Sequence, residues 1–136
     1  MTGVQTCALP ISGQVTRGES DIRVALSAGW LQAWADPVPQ APLPDLDEGE
    51  AACIRIALAH QAQAGNLALL LIDERAGRAV AAEHKLRLAG TAAVIGLARQ
   101  RGLIPSAREV FNTLHGSDFR ISAGVIHTVL ARVGEA

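Results

Sequence analysis

The hydrophobic pattern of this chain changes period along its length, and each change marks an element. Leu67-Ala68-Leu69-Leu70-Leu71-Ile72 is an unbroken apolar run closed by Asp73-Glu74. Such a run predicts a strand buried on both faces, of the kind found in a mostly parallel α/β sheet. Upstream, Glu48 to Ala64 is apolar nearly all round, through Ala51, Ala52, Cys53, Ile54, Ile56, Ala57 and Leu58. That pattern predicts a helix buried against a sheet and other helices. Downstream, Ala76 to Lys85 reads as helix and Leu86 to Ala89 as a second short strand. Together they make a βαβ unit, so the strands should be parallel and the crossover right-handed.

The flanks follow the same logic. Ser20 is the predicted cap of a helix starting at Asp21, and Gly29 is its stop. Trp30 to Trp34 predicts a short strand with both indoles on one face, as packing residues. Pro37, Pro39, Pro42 and Pro44 make Asp36 to Leu46 an extended connection. Thr91 is the predicted cap of a helix over Ala92 to Arg101. Ser106-Ala107-Arg108-Glu109 is a capping box for a helix to about His115, and Ser122 caps a last helix from Ala123 to Val133. The predicted order is helix, strand, helix, strand, helix, strand and three helices. At 136 residues this is one domain with one core.

The first eleven residues break the pattern. Thr2-Gly3-Val4-Gln5-Thr6-Cys7-Ala8-Leu9-Pro10-Ile11 looks like the translation of a sequencing-library adapter. Residues 1–11 are therefore expected to be an artefactual segment that packs poorly, with the natural chain cut off upstream of about Ser12.

Charge changes the picture more than composition does. The chain is 49% hydrophobic with a net charge of −1, an ordinary globular balance with no whole-chain attraction for nucleic acid or membrane. No apolar run approaches the roughly 18 residues of a membrane span. Cys7 and Cys53 match neither metal nor disulfide spacing. Cys53 reads as a small buried residue, which fits a reducing, cytoplasmic setting. His60, His84, His115 and His127 show no ligand spacing. Acids, however, gather in Asp36 to Glu50, which has five and no Lys or Arg. Bases gather in Arg75 to Arg108, seven against Glu83 alone. Acids holding cations beside bases holding a backbone would suit a metal-dependent enzyme acting on a phosphodiester. The alternative is solvated helix faces.

Two acidic corners concentrate the candidate chemistry. Ligands of open α/β sheets sit beyond the carboxyl ends of strands, where Asp73 and Glu74 stand. Asp47-Glu48-Gly49-Glu50 opens the preceding helix. Each corner also has a local reading. Asp47-x-x-Glu50 is a capping box, Asp73 can cap the next helix, and Glu74 with Arg78 is an i,i+4 pair.

On Asp47-Glu48-Gly49-Glu50-Ala51-Ala52 and Leu71-Ile72-Asp73-Glu74-Arg75-Ala76-Gly77-Arg78 the chain resembles the PIN-domain-like family of predicted nucleic-acid-binding proteins, related to VapC-type toxin ribonucleases. Gly90-Thr91, Ala98 to Ile104 and Phe119-Arg120-Ile121-Ser122 extend the resemblance. It implies a three-layer α/β/α parallel sheet and a metal-dependent ribonuclease, the toxin of a toxin–antitoxin pair. The alternative is a non-catalytic module that binds nucleic acid or protein. The implied cofactor is Mg2+ or Mn2+, with Glu50 and Asp73 as catalytic metal ligands and Glu74 as an adjacent ligand. Arg75 and Arg78 would hold nucleic acid. The implied partners are RNA and an antitoxin-like protein, and a homodimer is compatible with the resemblance. The chain departs from the family twice. No acid matches the family's first-strand position, and Gln14 of Gln14-Val15-Thr16 stands where another family acid lies. Residues 12–136 are thus expected to be a truncated PIN-like domain lacking its first, central strand. It would hold half a metal site, inactive as it stands, with Glu50 and Asp73 facing one crevice.

Overall fold

A computed structural model describes residues 4–6, 17–64 and 69–136. The chain order is β1 (Val4–Thr6), α1 (Arg17–Ala28), β2 (Leu31–Ala33), α2 (Glu48–Ala64), β3 (Leu70–Leu71), α3 (Arg75–Glu83), β4 (Leu88–Ala89), α4 (Thr91–Gln100), α5 (Ala107–His115) and α6 (Ala123–Arg132). From α1 onward this is the predicted order. The fold is α/β, with six helices around short parallel strand pairs.

The βαβ unit forms as its sequence predicts. β3 and β4 are parallel, with Leu70 opposite Leu88 and Leu71 opposite Ala89. The amide of Leu70 donates to Arg87 O at 2.8 Å, and that of Ile72 to Ala89 O at 2.9 Å. α2 and α3 cover one face of the pair. Ile54, Ala57, Leu70, Ile72, Val80, Ala81 and Leu86 close a first core cluster there. Ile54 is wholly inaccessible, and burying such a side chain stabilises the fold by roughly 1.5–3 kcal/mol. A second cluster, Ala92, Ile95, Ala107, Phe111 and Leu130, ties α4, α5 and α6 together.

Several expectations need correction. β3 is not buried on both faces: Leu70 and Ile72 are 8% exposed, whereas Leu69 and Leu71 are 51% and 47% exposed. The strand pleat sends alternate side chains to opposite faces, and only the face toward α2 and α3 is covered. α1 begins at Arg17, not at Asp21. Its first turn holds an i,i+4 pair, Arg23 Nη2 to Glu19 Oε1 at 2.6 Å, so Ser20 is helical and caps nothing. Trp30 is exposed, while Trp34 packs edge-on against His60 with ring centroids 5.6 Å apart. The two indoles therefore do not share one packing role. Cys53 is disulfide-bonded, so cysteine usage no longer argues for a reducing compartment. Cys7 lies outside the described residues.

Val4–Thr6 falls in the segment expected to pack poorly. Its backbone pairs in parallel with Leu31–Ala33, Val4 opposite Leu31. Valine and threonine favour extended backbone, and an open strand edge accepts any extended neighbour. The rest of residues 1–11 lies outside the described residues. Among the described residues no helix is long and apolar enough to cross a membrane.

One carboxylate far from the strands fixes the helical half. Glu135 accepts from Arg99 Nε at 2.8 Å, Ser106 Oγ at 2.9 Å, and the amides of Ala107 and Arg108 at 3.0 Å each. It thereby caps the start of α5 and ties it to α4 and the chain end. The Arg108 and Ala107 amides, ahead of Ser106 and Arg99, lower its pKa from 4.5 to about 2. A carboxylate with a depressed folded-state pKa adds stability above its unfolded value and loses it as pH falls through the folded one. Glu135→Gln should therefore lower the thermal midpoint at pH 7. The deficit should shrink between about pH 5 and pH 2. Thermal unfolding of both proteins across that range checks this. Parallel curves would contradict it.

Candidate functional site

The carboxyl end of β3, the first turn of α3 and the first turn of α4 meet at one rim of a cleft of about 1100 Å³. The opposite side is the turn at residues 118–122 and one face of α6. The site therefore lies beyond a strand end, as α/β sheets favour.

Asp73 sits at this rim but does not cap α3. The N-cap there is Glu74, which makes no side-chain capping bond. Asp73 reaches instead across to α4. Its Oδ1 accepts from the Thr91 amide at 2.8 Å and its Oδ2 from Thr91 Oγ1 at 2.6 Å. A carboxylate at a helix start satisfies an orphan amide and complements the helix dipole. α4 is thus capped through space by Asp73, and Thr91 is its first helical residue, with Gly90 as N-cap. Gly90 is required by this approach, since a β-carbon there would come within 2.8 Å of Asp73 Oδ1.

Arg78 also departs from its local reading. Its Nη1 donates to Ile72 O at 2.9 Å instead of pairing with Glu74. Arg75, Arg78, Asp73 and Glu74 all line the cleft, so the structure brings four of the five sequence-predicted site residues together.

Glu50, the fifth, is not among the lining residues. The capping box at α2 is half formed. Asp47 Oδ1 accepts from the Gly49 amide at 2.9 Å, whereas Glu50 turns toward α3. There Oε1 is buried with no hydrogen-bond partner. It lies so close to Gly77 that a β-carbon at that position would sit 2.6 Å away. That β-carbon would also fall 2.5 Å from Ile72 Cδ1, so Glu50 is packed beside an apolar side chain.

The donor set can be tested against a divalent cation on this geometry. Carboxylate oxygens are the right chemistry for Mg2+ or Mn2+, and the orphaned Glu50 oxygen has capacity for a ligand. Each Asp73 oxygen accepts one hydrogen bond from Thr91 and keeps a second lone pair. No group of three or more His, Cys, Asp or Glu residues placed to hold a metal occurs among the described residues. Glu50, Asp73 and Glu74 as placed here do not form a three-ligand group among the described residues.

The basic side of the site is richer than the sequence suggested. Arg120 and Arg132 line the cleft with Arg75 and Arg78, against Asp73, Glu74 and Asp118. Arg99 and Arg108, counted at first in the basic flank, are instead tied to Glu135. Phe119 lines the cleft as well. Sequence reasoning quoted Phe119 and Arg120 only within a family motif and missed Arg132. Its signal is the α6 stripe of Gly124, Val125, Thr128, Val129 and Arg132, spaced three and four apart as one helix face must be.

Comparison with protein families gives a match over residues 10–135 to a family model described as PIN domain. No curated protein and no solved structure matches the chain. PIN domains are nuclease-type modules that commonly bind nucleic acids and generally use divalent metal ions.

Proposed function

The chain belongs to the PIN-domain family, and from that premise we propose that it binds the phosphodiester backbone of RNA in the cleft between α3 and α6 without hydrolysing it. One observation carries this: Arg75, Arg78 and Arg132 line one cleft at the strand ends, with Arg120 beside them turned onto carbonyls of its own turn, while no three metal-ligating groups converge among the described residues. Guanidinium groups recognise phosphate through planar, bidentate hydrogen bonds. Arg75 and Arg132 have no hydrogen-bond or ion-pair partner for their guanidinium groups among the described residues, so both are available to a ligand. Mg2+ or Mn2+ at Glu50, Asp73 and Glu74 would complete the family's hydrolytic chemistry. These three do not converge as a three-ligand group among the described residues, which favours binding without cleavage.

Titration of the protein with labelled single-stranded RNA, with cleavage followed in parallel in Mn2+, tests this function. Saturable, salt-sensitive binding with uncut RNA supports it. A second function, docking of an antitoxin-like protein, draws on the exposed Leu69 and Leu71. A folded protein with no RNA response would move the assignment there.

A further inference from the structure

The turn between α5 and α6 has no regular structure, yet side chains hold it closely. Arg120 Nη1 donates to His115 O at 2.8 Å, to Phe119 O at 3.3 Å and to Ser117 O. Ser117 Oγ donates to Leu114 O at 2.5 Å and accepts from the Phe119 amide at 3.2 Å. His115 Nε2 lies 3.3 Å from Ile121 O. Six contacts thus tie Ser117, Phe119, Arg120 and Ile121 to one another and to the end of α5. The ordering of a surface turn costs conformational entropy, and here side-chain bonds from within the turn offset it.

What the turn presents is Phe119. Phe119 lines the cleft and is half-buried, but it packs against neither hydrophobic cluster. Ile121 lines the cleft too but also joins the second cluster, so Phe119 is the one of the two that faces the cleft without a core behind it. An aromatic ring held on a rigid support beside arginines is the arrangement that stacks nucleobases. Apolar burial alone would be met as well by leucine; an aromatic face adds stacking that every base can use.

We propose that Phe119 is a base-stacking residue that selects unpaired over paired RNA, and that Arg120 is its positioning residue. This rests on the RNA-binding function proposed above. The bases of a duplex already stack on one another and their faces are inaccessible, so only an unpaired strand offers a base to Phe119. The phosphate contacts of Arg75 and Arg132 are available to both forms.

The test compares a labelled mixed-sequence RNA of about ten nucleotides with the same RNA annealed to its complement. Phe119→Leu should weaken single-strand binding about tenfold and leave duplex binding unchanged. Phe119→Trp should restore the preference. Arg120→Ala should weaken single-strand binding alone and add nothing in the Phe119→Leu background, because it acts through the ring. Thermal midpoints within a few degrees of the parent confirm that each variant is folded. If the parent binds both RNAs and Phe119→Leu changes neither, or changes both equally, stacking is overturned while RNA binding stands. If the parent binds neither RNA, the proposed function falls and this inference with it.

Discussion

Phe111→Ala should destabilise the protein by about 3–5 kcal/mol, the cost of emptying a large buried aromatic site. Phe111 is 2% exposed and sits at the centre of the cluster that joins α4, α5 and α6. Its neighbours there, Ala92, Ile95, Ala107 and Leu130, are anchored in separate helices and cannot collapse into the space without moving them. A domain of this size is stabilised by only about 5–15 kcal/mol in total, so the loss is a large fraction. It also reaches the cleft. α6 supplies one side, and the turn at residues 117–122 hangs between α5 and α6. Denaturant unfolding should show a lower midpoint with an unchanged slope. A shift below about 1 kcal/mol would mean that the three helices are not one cooperative unit.

The second large effect falls on binding. Arg75→Ala together with Arg132→Ala should weaken RNA binding about 100-fold at low salt, about tenfold for each charged contact. The two guanidinium groups come from α3 and α6 and line the same cleft. Loss of two phosphate contacts should also flatten the salt dependence, lowering the slope of log K against log salt by roughly 1.4 for a single strand. The slope separates a phosphate role from a packing role, because misfolding would lower affinity without a defined change in slope. Arg99→Ala, whose side chain is committed to Glu135, should leave the slope unaltered. Filter binding over a salt series reads both quantities.

The order of elements was legible because it is written in hydrophobic period and punctuation, which act locally. Ser106 and Ser122 cap α5 and α6 as their sequence implies. The βαβ unit follows from the apolar run at Leu67 to Ile72 and the short strand after Lys85. What could not be read was set by contacts distant in sequence. The apolar run does not say what covers each face, so the exposure of Leu69 and Leu71 was hidden. Asp73 carries the signature of a local cap, and its partner Thr91 lies 18 positions on. Glu50 has the spacing of a capping box, but Gly77 opens a place for it beside α3. Arg132 and Phe119 enter the site only through the packing of α6 and the turn before it. Glu135, the penultimate residue, carries no local pattern at all, because its four donors come from α4 and from the start of α5.

Glu50 and Asp73 show how far a family spacing leaves the placement of each carboxylate to contacts distant in sequence. Carboxylates hold a cation when they converge and keep oxygens uncommitted. Asp73 accepts one hydrogen bond on each oxygen from the start of α4, and Glu50 lies off the cleft lining. Arg75, Arg78, Arg120 and Arg132 line the cleft, and Asp73 caps α4 at its rim.

The most direct test is a single-turnover assay of the purified 136-residue chain with end-labelled single-stranded RNA in Mn2+. Bound and cut fractions are measured on the same samples. RNA should be bound saturably and recovered at full length, with no effect of chelator on either fraction. RNA cut in Mn2+ and protected by chelator, with the cutting lost in Asp73→Asn, would contradict that outcome and restore a working metal centre at Asp73.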